Sequence, residues 1–105
     1  MAQTGPTDIK GRELYRSYGC ALCHGWEGRG DGINARTFKV PATNFHDPKA
    51  YIHGSDKDSI GRSIRYGIKE ENGIMPAFEH IAPEELDQLV GYLQSLQKNG
   101  LREAQ

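Results

Sequence analysis

The chain is 105 residues long, with room for a single domain over 1–105, and 36% of its residues are hydrophobic, lean for a self-sufficient core. Its 13 basic and 14 acidic residues are spread along the whole length at a net charge of −1, with no basic run to grip a phosphate backbone, so nucleic acid is not an expected partner. No apolar stretch approaches the roughly 18–20 residues that span a bilayer, and the opening MAQTGPTDIKG lacks the basic and apolar regions of a secretory signal.

The first predicted element is a helix from about Thr7 or Asp8 to Tyr18. Thr7 and Asp8 can cap its free N–H groups, and Gly19 suits a left-handed stop. Ile9, Leu14, Tyr15 and Tyr18 form its apolar side, with Gly11 a flat spot on the surface. Directly after it comes GCALCHG, residues 19–25, which holds both cysteines of the chain, Cys20 and Cys23, followed at once by His24.

From Gly25 to about Gly54 the pattern is neither helical nor alternating, and glycines, Pro41 and Pro48 interrupt it. A structureless stretch of this length is uncommon in a small domain unless it serves a function, such as wrapping a cofactor. A second helix is expected over SDKDSIGRSIRYG, with Ser55 as N-cap, Asp58 completing a capping box and Gly67 as the stop. The last helix starts with Pro83, Glu84 and Glu85 in its first turn. Leu86, Leu89, Val90, Leu93 and Leu96 then form an apolar stripe, and Lys98 and Gly100 finish it. Gly91 inside this helix costs about 1 kcal/mol relative to alanine. It is read as a point where another backbone crosses, with Gly11 as counterpart. Strand signal is almost absent, so the expected class is all-α.

Four chemistries can use a cysteine pair beside a histidine. A Cys20–Cys23 disulfide would close a very short loop and contribute little. A zinc site needs four ligands and lacks a second pair, since His46, His53 and His80 are scattered. A redox dithiol expects a βαβ setting that is missing here. Covalent haem attachment uses all three residues: two thiols three apart add to two vinyl groups of a porphyrin, and the next residue, His24, reaches the iron. C-x-x-C-H is a specific signal for this chemistry. A large apolar cofactor would also support a chain with a mean hydropathy of −0.70 and 13 glycines.

With that motif in place, the chain resembles a bacterial single-haem class I cytochrome c over nearly its whole length. GRELYRSYGCALCHG resembles the family's N-terminal helix and attachment site, GIMPAF the segment of the distal ligand, LDQLVGYLQSL the C-terminal helix with its aromatic Tyr92, and GRGDG a glycine-rich loop of bacterial members. The resemblance implies terminal helices that cross, with a third helix and long loops wrapped around one covalent haem c. It makes Cys20 and Cys23 the thioether anchors, His24 the proximal ligand and Met75 the distal one. Met75 is also the sole methionine after Met1, and a thioether suits low-spin haem iron. Filling a core gap is its alternative role, and His46, His53 and His80 are the rival ligands.

Pro41 resembles the proline whose carbonyl accepts the proximal imidazole N–H. Trp26, Tyr51, Arg62 and Tyr66 are candidates for holding haem propionates. In departure from the family pattern, Ala82 stands where an N-cap Ser or Thr is expected. A docking ring of lysines is missing as well; the expected haem edge instead mixes Arg16 and Arg29 with Glu70, Glu71 and Glu79. The function implied is electron transfer by a monomer that docks transiently, through the haem edge, with redox proteins. A haem sensor or peroxidase-like enzyme with a labile Met75, and a subunit of a larger oxidoreductase, are the alternatives. In the resembled family haem is attached outside the cytoplasm, so the expectation is a periplasmic protein in mature form, its signal segment removed.

Overall fold

Proline at a helix start gives up only an N–H that has no partner there, and both long helices begin that way. The computed structural model describes residues 6–37, 42–70 and 73–104. In chain order these form α1 (Pro6–Ser17), α2 (Ala21–His24), short 3-10 turns at Ile33–Thr37 and Pro48–Ala50, α3 (Lys57–Tyr66), strands β1 (Ile68–Glu70) and β2 (Gly73–Met75), and α4 (Pro83–Ala104). The class is all-α, with one small hairpin among the described residues.

α1 packs against α4, and α3 packs on α4 as well. The buried core is drawn from all of these: Leu14 and Tyr15 of α1, Phe45 of the loop, Ile60 and Ile64 of α3, and the Leu89, Val90, Leu93 and Leu96 stripe of α4. Leu86 is half-buried at the edge of that stripe, and Ile9, expected on the apolar side of α1, is exposed.

The terminal helices do cross at Gly11. A Cβ there would run into the Gln88 carbonyl and lie 2.6 Å from the Tyr92 Cβ. The α4 atoms nearest to a Cβ at Gly11 belong to Gln88 and Tyr92, the two residues that bracket the expected Gly91 in sequence. Only a residue without a side chain lets the two backbones come this close.

Two helix boundaries and one small hairpin differ from expectation. The N-cap of α3 is Asp56, not Ser55: its carboxylate accepts from the Ser59 backbone N–H, and the Ser59 hydroxyl donates back to it at 2.6 Å. The Ser55 carbonyl instead accepts from Gln97 of α4 at 3.2 Å. α4 runs through Gly100 to Ala104, because one glycine costs a helix about 1 kcal/mol and ends it only where the backbone turns out of helical geometry. The hairpin pairs Ile68 with Met75 and Glu70 with Gly73 in antiparallel register. Its strands of three residues are too short to show a period of two. Gly67 ends α3 as expected, its N–H bonding the Ser63 carbonyl at 2.9 Å.

Candidate cofactor-binding site

Gly19, at a positive φ of 78°, turns the chain from α1 into α2. α2 is one helical turn, ALCH, so its spacing sets Cys20, Cys23 and His24 within a few ångströms of chain on a single short element. The turn is closed by the Cys20 carbonyl, which accepts from His24 N–H at 2.9 Å. The following loop is laced back onto it. Gly30 N–H donates to the His24 carbonyl at 2.8 Å and Gly32 N–H to the Cys23 carbonyl at 3.0 Å. The glycine-rich stretch thus satisfies the carbonyls that so short a helix leaves open.

His24 is the one buried polar side chain among the described core residues, 9% exposed. Its ring stacks on Phe45 with centroids 4.2 Å apart. Its Nδ1 lies 3.0 Å from the Thr43 carbonyl. A carbonyl only accepts, so Nδ1 carries the proton and Nε2 keeps its lone pair. Burial lowers the imidazole's pKa and outweighs the opposing effect of the Thr43 bond, which keeps the ring neutral. A neutral imidazole with one nitrogen protonated and hydrogen-bonded and the other keeping its lone pair is the state a metal ligand requires. The sequence pointed to Pro41 as the acceptor. Among the described residues the acceptor is Thr43, and Pro41 lies outside them.

Cys20 and Cys23 are unpaired and half-buried. Burial, reinforced by the neighbouring Cys23, pushes the Cys20 thiol up to about 11, against a smaller lowering by a backbone hydrogen bond. A redox dithiol needs the opposite, a thiol whose pKa is held down. Among the described residues no group of three His, Cys, Asp or Glu side chains is placed to hold a metal ion. The pair and its histidine therefore suit a group that brings its own metal and its own apolar bulk.

Met75 ends β2, half-buried, and packs on the same core cluster as Cys20, Ala21, Tyr18 and Phe78. The hairpin and the Phe78 N–H bond to the Ile64 carbonyl at 2.9 Å anchor its segment to the end of α3. Of the rival histidines, His46 is tied to the Glu27 carbonyl through Nε2 at 2.7 Å, with Nδ1 buried and without a partner, while His53 and His80 are exposed. Trp26 is exposed, with the Arg16 guanidinium 4.7 Å above its ring. Tyr51 spends its hydroxyl on the Phe45 carbonyl at 2.7 Å, and Arg62 and Tyr66 are exposed on α3.

Two residues that sequence reasoning missed shape the site. Phe45 forms the wall against His24, and Thr43 fixes its tautomer. Neither sits in a periodic pattern; both act at a distance of about twenty residues along the chain.

A family model described as cytochrome c matches residues 9–97. No curated protein matches the chain. Among solved structures, a chain of the Kuenenia stuttgartiensis reducing HAO-like protein complex superposes with a TM-score of 0.71 at 28% identity. That match takes in 90% of the present chain and 46% of the other, so this chain spans less than half of that neighbour's length.

Proposed function

The chain belongs to the cytochrome c family as a class I member of all-α fold, and on that premise we propose that it carries one covalently attached haem c and passes single electrons between redox proteins. Cys20 and Cys23 would form the two thioether bonds, His24 would ligate the iron through Nε2, and Met75 would be the second protein ligand. The observation that carries this reading is the His24 ring, buried and neutral, its Nδ1–H bound to the Thr43 carbonyl and its Nε2 keeping its lone pair, on the turn that bears both thiols.

Bound there, haem iron supplies reversible one-electron exchange between its ferrous and ferric states. The protein's part is to hold it still. Thr43 and Phe45 fix the imidazole from two directions, and the α3–hairpin junction fixes the segment of Met75. Two protein ligands leave no position for a substrate, which favours a carrier over an enzyme. The thioether favours the reduced form relative to a second imidazole.

Docking is proposed at the face of the attachment site, where Leu22, between the two cysteines, is 52% exposed and nearby Ile33 is 74% exposed. Isolated apolar side chains of this kind suit a small, short-lived contact. With a net charge of −1, association is expected to depend weakly on salt. No helix among the described residues is long and apolar enough to cross a membrane. The periplasm is the proposed location and a monomer the proposed state.

One observation favours a second reading. The solved neighbour is a chain of a multiprotein complex and is more than twice the length matched here. The same domain can therefore serve as the electron-transfer part of a larger oxidoreductase. Co-purification from the native source distinguishes the two.

The test is a pair of visible spectra, oxidised and reduced, with extraction into acidified organic solvent. Pigment that stays with the polypeptide and a far-red charge-transfer band that disappears in Met75→Ala are the expected results. A colourless polypeptide, or pigment released by the solvent from protein with both cysteines intact, overturns the reading.

A further inference from the structure

The end of α3 does more than support the hairpin. Arg65, in its last turn, reaches across to the segment that follows Met75. Its Nη1 donates to the Glu79 carbonyl at 3.0 Å and its Nη2 to the Ile81 carbonyl at 3.1 Å. We infer that Arg65 is a positioning residue for Met75, a two-pronged clamp that holds the thioether-bearing segment closed. The inference rests on the proposed role of Met75 as distal ligand.

The case is made by what else holds that segment. Pro76 has no N–H to give, and Pro76, Ala77, Glu79 and His80 are all exposed. Only Phe78 and Ile81 turn inward, half-buried and buried respectively. Backbone contacts supply the rest: the Ile68–Met75 pair, the Phe78 N–H bond to Ile64, and the close approach at Gly67, where a Cβ would sit 2.6 Å from the Met75 carbonyl. Gly67 holds a φ of +76°, which side chains disfavour, so that approach depends on glycine. Among the hydrogen bonds described for this segment, the two from Arg65 are the ones a side chain makes.

A planar guanidinium spans two carbonyls set two residues apart; a lysine ammonium is a point donor and cannot reproduce the fork. Without the clamp, a segment with few buried contacts opens more often. A neutral thioether brings no charge of its own to draw it shut again.

The readout is imidazole binding to the ferric protein, monitored by loss of the far-red band. An added ligand that binds only the opened form gains apparent affinity in proportion to the population of that form. Arg65→Ala is expected to raise apparent imidazole affinity about tenfold, in keeping with the loss of charge-assisted hydrogen bonds. Arg65→Lys is expected to fall between it and the unsubstituted protein. Gln97→Ala, which removes the α4 bond to Ser55 away from this segment, serves as the control for general loosening and is expected to leave the affinity unchanged.

An affinity in Arg65→Ala within twofold of the unsubstituted protein overturns the clamp while leaving Met75 as ligand. An equal rise in Gln97→Ala overturns it too, by showing a merely structural effect. Absence of the far-red band in the unsubstituted protein instead overturns the Met75 assignment, and the clamp falls with it. If Arg65→Ala does not fold, Arg65→Lys decides: raised affinity supports the clamp and unchanged affinity overturns it.

Discussion

The Tyr15 hydroxyl donates a 2.6 Å hydrogen bond to the carbonyl of Gly25, the residue that follows His24. Tyr15 has no exposed surface, and its ring meets Phe45 and Tyr92 edge-on at 6.3 and 5.6 Å. One side chain thus ties the helix crossing to the end of the turn that carries Cys20, Cys23 and His24. Burial, with lesser contributions from Cys20 and Tyr92, drives its pKa far above the ordinary phenol value, so it remains a donor throughout the working range.

Tyr15→Phe keeps both ring contacts and deletes only the hydroxyl. The Gly25 carbonyl still accepts from Gly28 N–H at 3.2 Å, so it is not left bare. The expected loss is about 1 kcal/mol, at the low end of the range for a buried hydrogen bond, read as a shifted denaturant midpoint with an unchanged slope. A loss above about 3 kcal/mol would mean that the ring itself has moved.

Gly11→Ala tests the crossing. The added methyl meets the Gln88 carbonyl and Tyr92 Cβ, two groups held by helix geometry rather than by a flexible side chain. Alanine is the better helix former by about 1 kcal/mol, yet overpacking costs about 1–3 kcal/mol where nothing can yield. Net destabilisation is expected in thermal unfolding. A stabilised variant would show that α1 and α4 do not meet there.

Phe45 is the sole aromatic described against the His24 ring, and it also contacts Tyr15 and Tyr51. Phe45→Ala is expected to cost about 3–5 kcal/mol, a large share of a small domain's total of about 5–15 kcal/mol. Phe45→Leu, which keeps most of the volume, is expected to cost less than half as much. Equal losses in the two variants would assign the energy to the ring stack instead of to packing.

The cap of α3 carries a pH dependence. Bonds from the Ser59 hydroxyl and backbone N–H hold the Asp56 carboxyl below its ordinary value of 3.8. With the folded value below the unfolded one, Asp56 stabilises the protein above pH 4 and loses that contribution as the pH falls through its folded value. The stability gap between the unsubstituted protein and Asp56→Ala is therefore expected to narrow below about pH 4, measured by urea unfolding across pH. A gap that stays constant into strong acid would place the capping effect elsewhere.

How much was legible in the chain follows the range of each interaction. α4 could be read from its leucine stripe and its Pro83–Glu85 start, because helix period and dipole act within a few residues. The α3 cap came out one residue early, because Ser55 and Asp56 are both good caps and only the bond to Ser59 separates them. The hairpin was invisible, since its register follows from where α3 delivers Ile68 and not from any alternation.

By itself the sequence determined where the proposed attachment chemistry sits: two thiols and an imidazole, Cys20, Cys23 and His24, close enough along the chain for one turn to carry all three. It determined the helical class and Met75 as the thioether available beyond Met1. Only the tertiary structure decided which carbonyl orients His24, which ridge receives Gly11 and which side chain secures the segment of Met75. Thr43, Gln88 with Tyr92, and Arg65 lie far along the chain from the groups they meet or close within a loop without periodicity. Such contacts leave no repeat in the sequence, because packing in three dimensions selects them and chain-local geometry does not.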